Sequence, residues 1–270
     1  MFAKVLVGVD YQQSGRDAIA LASKLVAADG ELMLAHVRHQ PEWAPAQSQK
    51  QVRELLERAR SAAKVQASLH DHPSASVGRG LHELSELLGA DLLVVGSSTR
   101  GIVERVLLGD DARAALNGAP CAIAVAPAGY AGRAGALRRV GVGYNESPES
   151  EDALATACSI AAEQGASVAV LEVVSLPSTM LMGGPAPLGK VIDDLLSDAN
   201  DRLEGLDGVE THVVYGSPGE ELGAFSGSVD LLVLGSRGYG PIGRLVHGST
   251  SQHLLRVSRC PLLVLTRRAP

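Results

Sequence analysis

Aromatic residues make up only 3% of the chain, which removes the stacking platforms on which single-stranded nucleic acids are held. Positive charge is also short. Lys and Arg number 24 against 30 Asp and Glu, a formal net charge of −6, so no nucleic-acid partner is expected. No apolar run approaches the length of a membrane span, and no membrane partner is expected. The opening MFAKVLVGVD runs straight into a strand-like pattern and lacks the shape of a signal peptide. Three cysteines (Cys121, Cys158, Cys260) cannot pair completely, which points to a reducing compartment; the expected location is cytoplasmic. What is plentiful is apolar residue, 46% of the chain with 20% charged, the balance of a well-cored globular protein. At 270 residues there is room for one large domain or two ordinary ones.

An internal repeat decides for two. KVLVGVD (Lys4–Asp10) matches RVGVGYN (Arg139–Asn145), and RDAIALASKLVAADGELMLAHV (Arg16–Val37) matches EDALATACSIAAEQGASVAVLEV (Glu151–Val173). Later, GADLLVVGSS matches SVDLLVLGSR, and CAIAVAP from Cys121 matches CPLLVLT from Cys260. The expected domains are 1–128 and 138–270, joined by a linker at 129–137 within the Ala-, Gly- and Arg-rich stretch APAGYAGRAGALRR.

Inside each copy, strand-like runs alternate with helical patterns. Ala18, Leu21, Ala22, Leu25 and Val26 share one helical face, as do Val52, Leu55, Leu56, Ala59 and Ala63, and as do Ile192, Leu195, Leu196, Ala199 and Leu203. The runs LVGV, LLVV, VGVG and LLVL are too continuously apolar for a half-exposed antiparallel sheet. Strands buried on both faces have this character, which means a parallel sheet between helix layers. Each copy therefore reads as an α/β, doubly wound, Rossmann-like unit of five parallel strands. Ligands of such sheets bind beyond the carboxyl ends of the strands, where the strand order reverses.

A glycine loop follows the fourth strand of each copy at that place. In the second copy it runs Gly235-Ser236-Arg237-Gly238, then nine residues, then Gly248-Ser249. Glycines let a backbone approach an oligophosphate closely. The stretch after Gly248 reads as a helix with Ser249 or Thr250 as its N-cap, and a helix start offers unpaired N–H groups to an anion. Hydroxyls of Ser249, Thr250 and Ser251 add donors, and Arg237 or Arg244 stands near in sequence as added charge or as solvated surface.

This G-x2-G-x9-G-[ST] pattern, with VGVD at the N-terminus, resembles the universal stress protein family, and the likeness covers the chain twice. The resemblance implies strand order 3-2-1-4-5 in each domain, last strands that meet in an intrachain pseudo-dimer, and room for a homodimer. It implies ATP held by Gly235, Gly238, Gly248, Ser249 and Thr250, with Val173 at the adenine wall. The family's aspartate after the first strand corresponds to Asn145, which still hydrogen-bonds a ribose but brings no charge to a metal. No metal ligand is therefore assigned, and a Mg²⁺ requirement does not follow.

The first copy keeps Asp10, Val37, Gly96 and Gly109, but Thr99 replaces the second glycine and Asp110 the hydroxyl. A β-branched residue resists positive φ, and a carboxylate at a helix start caps it from within and repels phosphate. The first site is expected to be degenerate.

Other motifs carry less. GPAPLGKV (Gly184–Val191) nearly spells a P-loop but ends in Val191 and contains two prolines without N–H groups. GYGPIG (Gly238–Gly243) has dinucleotide spacing without the downstream acid. His36, His39, His70 and His72 read as solvated or locally bonded, the HDH triplet in a polar turn, and not as metal ligands. Cys121 and Cys260 precede equivalent last strands and are expected to be small buried residues, near each other if those strands meet. No catalytic constellation emerges, so no catalytic residue is assigned. The expected function is an ATP-binding regulator of a stress response with an unidentified protein partner. Its rivals are a slow ATP-hydrolysing or ATP-transferring enzyme of related fold and a nucleotide-free interaction protein.

Overall fold

A computed structural model describes residues 1–38, 48–97, 118–133, 135–176, 188–236 and 249–266. The first copy contains β1 (Phe2–Gly8), α1 (Gln13–Leu25), β2 (Val26–Arg38), α2 (Gln49–Ala63), β3 (Ser68–Pro73), α3 (Val77–Leu88), β4 (Leu92–Gly96) and β5 (Ala122–Ala126). One helical turn, α4 (Tyr130–Arg133), follows in the connecting segment. The second copy contains β6 (Arg139–Tyr144), α5 (Pro148–Gln164), β7 (Ser167–Val174), α6 (Leu188–Leu203), β8 (Glu210–Tyr215), α7 (Pro218–Phe225), β9 (Leu231–Gly235), α8 (Ser249–Val257) and β10 (Leu262–Leu265). The first copy's segment between β4 and β5 lies mostly outside the described residues.

Among the described residues the strands form one ten-stranded sheet in the order β3-β2-β1-β4-β5-β10-β9-β6-β7-β8. Each half is parallel and has the order 3-2-1-4-5 in its own strand count. The halves join through one antiparallel pair, with Leu262 opposite Val125 and Val264 opposite Ile123. Alternating residues of each strand feed both faces, because helices cover both. On one face Val5, Val7, Ile19 and Leu56 pack in one continuous cluster with Val140, Val142, Ile160 and Leu203. On the other face Leu6, Leu81, Leu93 and Ile123 pack with Leu171, Leu222, Leu232 and Leu254. The core thus divides by face and not by copy, so each half buries its neighbour's apolar edge.

Helix starts are written in serine. Ser48 accepts from the Gln51 N–H in a reciprocal capping box, and Ser147 accepts from the Ser150 N–H just before Pro148. Three expectations change. Val26 does not extend the face of α1; it is extended, pairs with Phe2 and opens β2, as suits a β-branched residue. His70-Asp71-His72 are not in a turn but in β3, an edge strand whose single neighbour leaves room for polar side chains. Cys121 and Cys260 are buried free thiols, but antiparallel pairing sets them at opposite ends of the β5–β10 seam.

Candidate functional site

Two chain reversals create the site in the second copy. The chain leaves β6 at Tyr144, turns through Asn145, Glu146 and Ser147, and enters α5. Asn145 Oδ1 accepts from the Ser147 hydroxyl at 2.7 Å, which holds the turn and the serine that caps α5. On the adjacent strand the chain leaves β9 at Gly235-Ser236 and, beyond the described segment, begins α8 at Ser249. The starts of α5 and α8 both border the gap between these turns, but at α5 Pro148 has no N–H and the Ser150 N–H is already taken by Ser147.

The gap is a cleft of about 500 Å³. Val173, Leu171, Leu222 and Leu234 supply apolar wall; Asn145, Ser150, Ser236, Thr250 and Ser251 supply polar groups. Among its described lining residues Glu149 alone carries charge, and the donors these residues offer are backbone and hydroxyl groups. The structure therefore brings together Asn145, Val173, Gly235, Ser236 and Thr250. Arg237, Gly238, Arg244 and Gly248 lie outside the described residues, and Ser249 is described only as the first residue of α8. Ser249 and Thr250 belong to the first turn of that helix and do not stand ahead of it as caps.

Gly235 has a second explanation. A Cβ there would sit 2.2 Å from the Glu149 carbonyl oxygen, because α5 starts directly over the end of β9. Gly96 repeats this in the first copy, 2.0 Å from the Ser14 carbonyl oxygen. Helix-to-strand approach alone requires glycine at both, with or without a phosphate.

The corresponding cleft of the first copy, lined by Asp10, Val37, Gly96, His36 and Leu81 among others, holds about 110 Å³. Asp10 spends its carboxylate on its own loop, accepting from the Gln12 N–H at 3.0 Å, the Gly15 N–H at 3.2 Å and the Ser14 hydroxyl. Thr99, Gly109 and Asp110 lie outside the described residues.

Sequence reasoning missed Ser147, Ser150 and Pro218, which reach the second cleft from two different helix starts. The Ser-Pro pairs at 147–148 and 217–218 carried that signal. It also missed Glu172, on the opposite sheet face from Val173. Glu172 is 6% exposed, its Oε1 accepts from Arg202 at 2.5 Å, and its Oε2 has no partner. The one charge inside the apolar run SVAVLEVV was its trace. Arg202 also pairs with Glu146 at 3.1 Å, clamping the turn that carries Asn145 to α6. Burial, with a hydrogen bond donated to Glu151 beside it, pushes the neighbouring Tyr144 hydroxyl up to about 12.

None of the described residues of the remaining motifs lines the second cleft. Gly189, Lys190 and Val191 of the near-P-loop are residues of α6, while 184–187 and the GYGPIG stretch lie outside the described residues. His36 Nδ1 contacts the Val9 carbonyl at 2.7 Å, His70 contacts Ser68 at 2.9 Å, and His72 pairs with Glu83 at 2.8 Å; His39 is not described. Among the described residues no group of three potential metal ligands forms, and no helix is long and apolar enough to cross a membrane.

Known proteins resemble the chain at both levels. The model of the universal stress protein family matches residues 1–127 and again 136–266. Universal stress protein Rv2319c of Mycobacterium tuberculosis is 29% identical over 220 residues, 76% of this chain and 74% of its own. Universal stress protein Rv2005c of the same organism is 30% identical over 182 residues, 65% of this chain and 61% of its own. In fold, a universal stress protein from Archaeoglobus fulgidus aligns with TM-score 0.65 at 18% identity over 98% of both chains. A functionally unknown protein from Pseudomonas aeruginosa aligns with TM-score 0.68 at 17% identity, over 98% of this chain and 92% of that one. The chain belongs to the universal stress protein family and contains its domain twice.

Proposed function

We propose that the protein is an adenine-nucleotide-binding regulator whose second domain holds ATP and whose first domain is a degenerate copy. The observation that carries this reading is the difference between the two clefts, about 500 Å³ against about 110 Å³. Small-molecule sites run to roughly 300–1,000 Å³, so the second cleft suits a nucleotide and the first suits a few waters. Leu171, Val173 and Leu222 make a wall for an adenine ring, and Asn145 stands at the turn where a ribose would meet it. Phosphates would lie on Gly235, Ser236, Arg237, Gly238, Gly248, Ser249 and Thr250, between the end of β9 and the start of α8. In the first domain Asp10, Val37, Gly96, Thr99, Gly109 and Asp110 hold the equivalent places. Binding would alter the surface offered to a partner in a stress response.

Native mass spectrometry of the gently purified full chain, followed by calorimetric titration with ATP, tests this. One nucleotide per chain is expected. Thr250→Glu places at the start of α8 a carboxylate like that of Asp111, its counterpart in the repeat, and should weaken binding about tenfold or more. Two equivalent sites, or none, would overturn the proposal. So would an affinity indifferent to Thr250→Glu.

A further inference from the structure

The two copies are related by an approximate two-fold axis through the β5–β10 seam, and a groove on one side of that seam is filled by the chain itself. Asp17, on α1 and 1% exposed, accepts from the Gly129 N–H and the Ala131 N–H, both at 2.8 Å. Those bonds hold the connecting segment against α1 and seat Tyr130, 8% exposed, over the seam. Burial pushes the Tyr130 hydroxyl up to about 12, and Asp230 and Cys260 lie near enough to add to it. Asp230 in turn accepts from the Arg138 and Arg139 N–H groups at 2.8 and 2.9 Å.

Each of these residues except Tyr130 has a counterpart across the axis. Asp152 on α5 stands where Asp17 stands on α1, Asp91 answers to Asp230, and Cys121 answers to Cys260. Asp91 accepts from the Ala3 and Lys4 N–H groups at 2.8 and 3.0 Å, the same arrangement as at Asp230. Among the described residues nothing fills the space between them, a cleft of about 560 Å³ lined by Asp91, Cys121, Asp152, Ala155, Thr156 and Thr266 among others. Asp152 is exposed there, whereas Asp17 is buried. The likeness ends at the far end of the groove. Lys24 donates to the Gly135 carbonyl, but its counterpart Ser159 accepts from the Met1 ammonium group. The chain's own continuation past Thr266 reads Arg-Arg-Ala-Pro, which puts Ala269 at the sequence position of Tyr130 and supplies no ring.

We propose that this cleft is a docking site for a short aromatic segment of a partner protein, bound as Gly129–Ala131 is bound by Asp17. One ring enters beside Asp91 and Cys121, and the N–H groups of the residues flanking it donate to the Asp152 carboxylate. Small residues must flank the ring, because Gly129 and Ala131 do so in the filled groove. The flanking residues cannot be proline, which has no N–H to donate. The complementarity is that of peptide N–H donors with an exposed carboxylate, a charge-assisted pairing.

The probe is a fluorescein-labelled peptide with the chain's own linker sequence APAGYAGR, titrated with the full-length protein and followed by anisotropy and by amide chemical shifts. Saturable binding is expected, weakened about tenfold or more by Asp152→Asn and by Thr156→Trp, which fills the cleft. Both positions face the cleft surface, and thermal melts should show both variants folded. Replacing the peptide's tyrosine with alanine should abolish binding, and phenylalanine should preserve it. Failure of the peptide to bind, or binding indifferent to both variants, overturns the proposal. Binding that emerges only when residues 267–270 are deleted also overturns it, by making the chain's own tail the occupant. The nucleotide reading is untouched by either result, since Asp152 and Thr156 do not line the cleft assigned to ATP.

Discussion

The two halves of this chain share a backbone plan and disagree about which surfaces they leave open. In the cleft beside the glycine that ends the fourth strand, the first copy has about 110 Å³ and the second about 500 Å³. At the seam the order is reversed: the groove beside α1 is filled by Tyr130, while the groove beside α5 is, among the described residues, a cleft of about 560 Å³. Duplication preserved what the backbone needs, including a glycine under each first helix and an aspartate bracing each first strand. What diverged are side chains at the edges: Asp10 against Asn145, His36 against Glu172, Asp17 in use against Asp152 exposed. Sequence similarity between copies therefore reports on the scaffold, and function has to be sought where the copies differ.

The comparison can be broken in several ways. The largest effect is expected for Tyr130→Ala, which empties the filled groove; loss of a buried aromatic ring costs about 3 kcal/mol or more, read as a lowered urea midpoint. Next come Gly96→Ala and Gly235→Ala. Each added methyl would press on a helix backbone oxygen, and about 2–3 kcal/mol of destabilisation is expected in both copies. Equal losses would show that glycine serves packing in both; a loss in nucleotide affinity without a loss of stability at Gly235 would restore a purely phosphate role. Asp17→Asn should cost about 1–2 kcal/mol through two weakened buried hydrogen bonds, whereas Asp152→Asn should stay within about 0.5 kcal/mol. Similar losses at both would end the asymmetry.

The smallest effect concerns acid. Hydrogen bonds from His72 and then Arg79 hold the Glu83 carboxyl down to about 2 from 4.5. A carboxylate whose folded value is depressed stabilises above its unfolded value and loses that contribution as pH falls through the folded one. Glu83→Gln should therefore flatten a small part of the stability decline between about pH 4.5 and 2 and leave neutral stability nearly unchanged. An unchanged acid limb in a pH series of thermal melts would remove this contribution. Solvent screening at this exposed pair keeps it minor.

Much of the fold was legible because doubly buried strands and amphipathic helices each impose a period on their residues. The apolar runs ending in Val9, Val95, Gly143 and Leu234 lie in or directly beside β1, β4, β6 and β9. The repeat then carried the topology from one half to the other. The misread elements were those whose residues answer to a neighbour and not to a period. His70-Asp71-His72 looked like a turn because an edge strand need not be apolar. In the candidate site, Asn145, Gly235 and Thr250 were visible as loop residues beside strands. Ser147, Ser150 and Pro218 were not, because two separate chain reversals had to be brought together before they shared a wall. Glu172 was invisible for a related reason: a charge in a strand becomes meaningful only when Arg202 is found against it.

The sequence by itself determined that the chain is one α/β module written twice, since periodicity and repetition are properties of the order of residues. It also determined that the second glycine loop ends in hydroxyls and the first in carboxylates. Only the tertiary structure decided that Gly235 is required beneath α5, because close approach is a distance between elements about 90 residues apart. It alone showed that the cysteines lie apart, because strand direction at the seam is set by packing and not by local pattern. And it alone showed that Asp17 and Asp152, equivalent in the sequence, face opposite circumstances. Whether a carboxylate is buried and bonded or exposed at a cleft depends on what the rest of the chain lays over it.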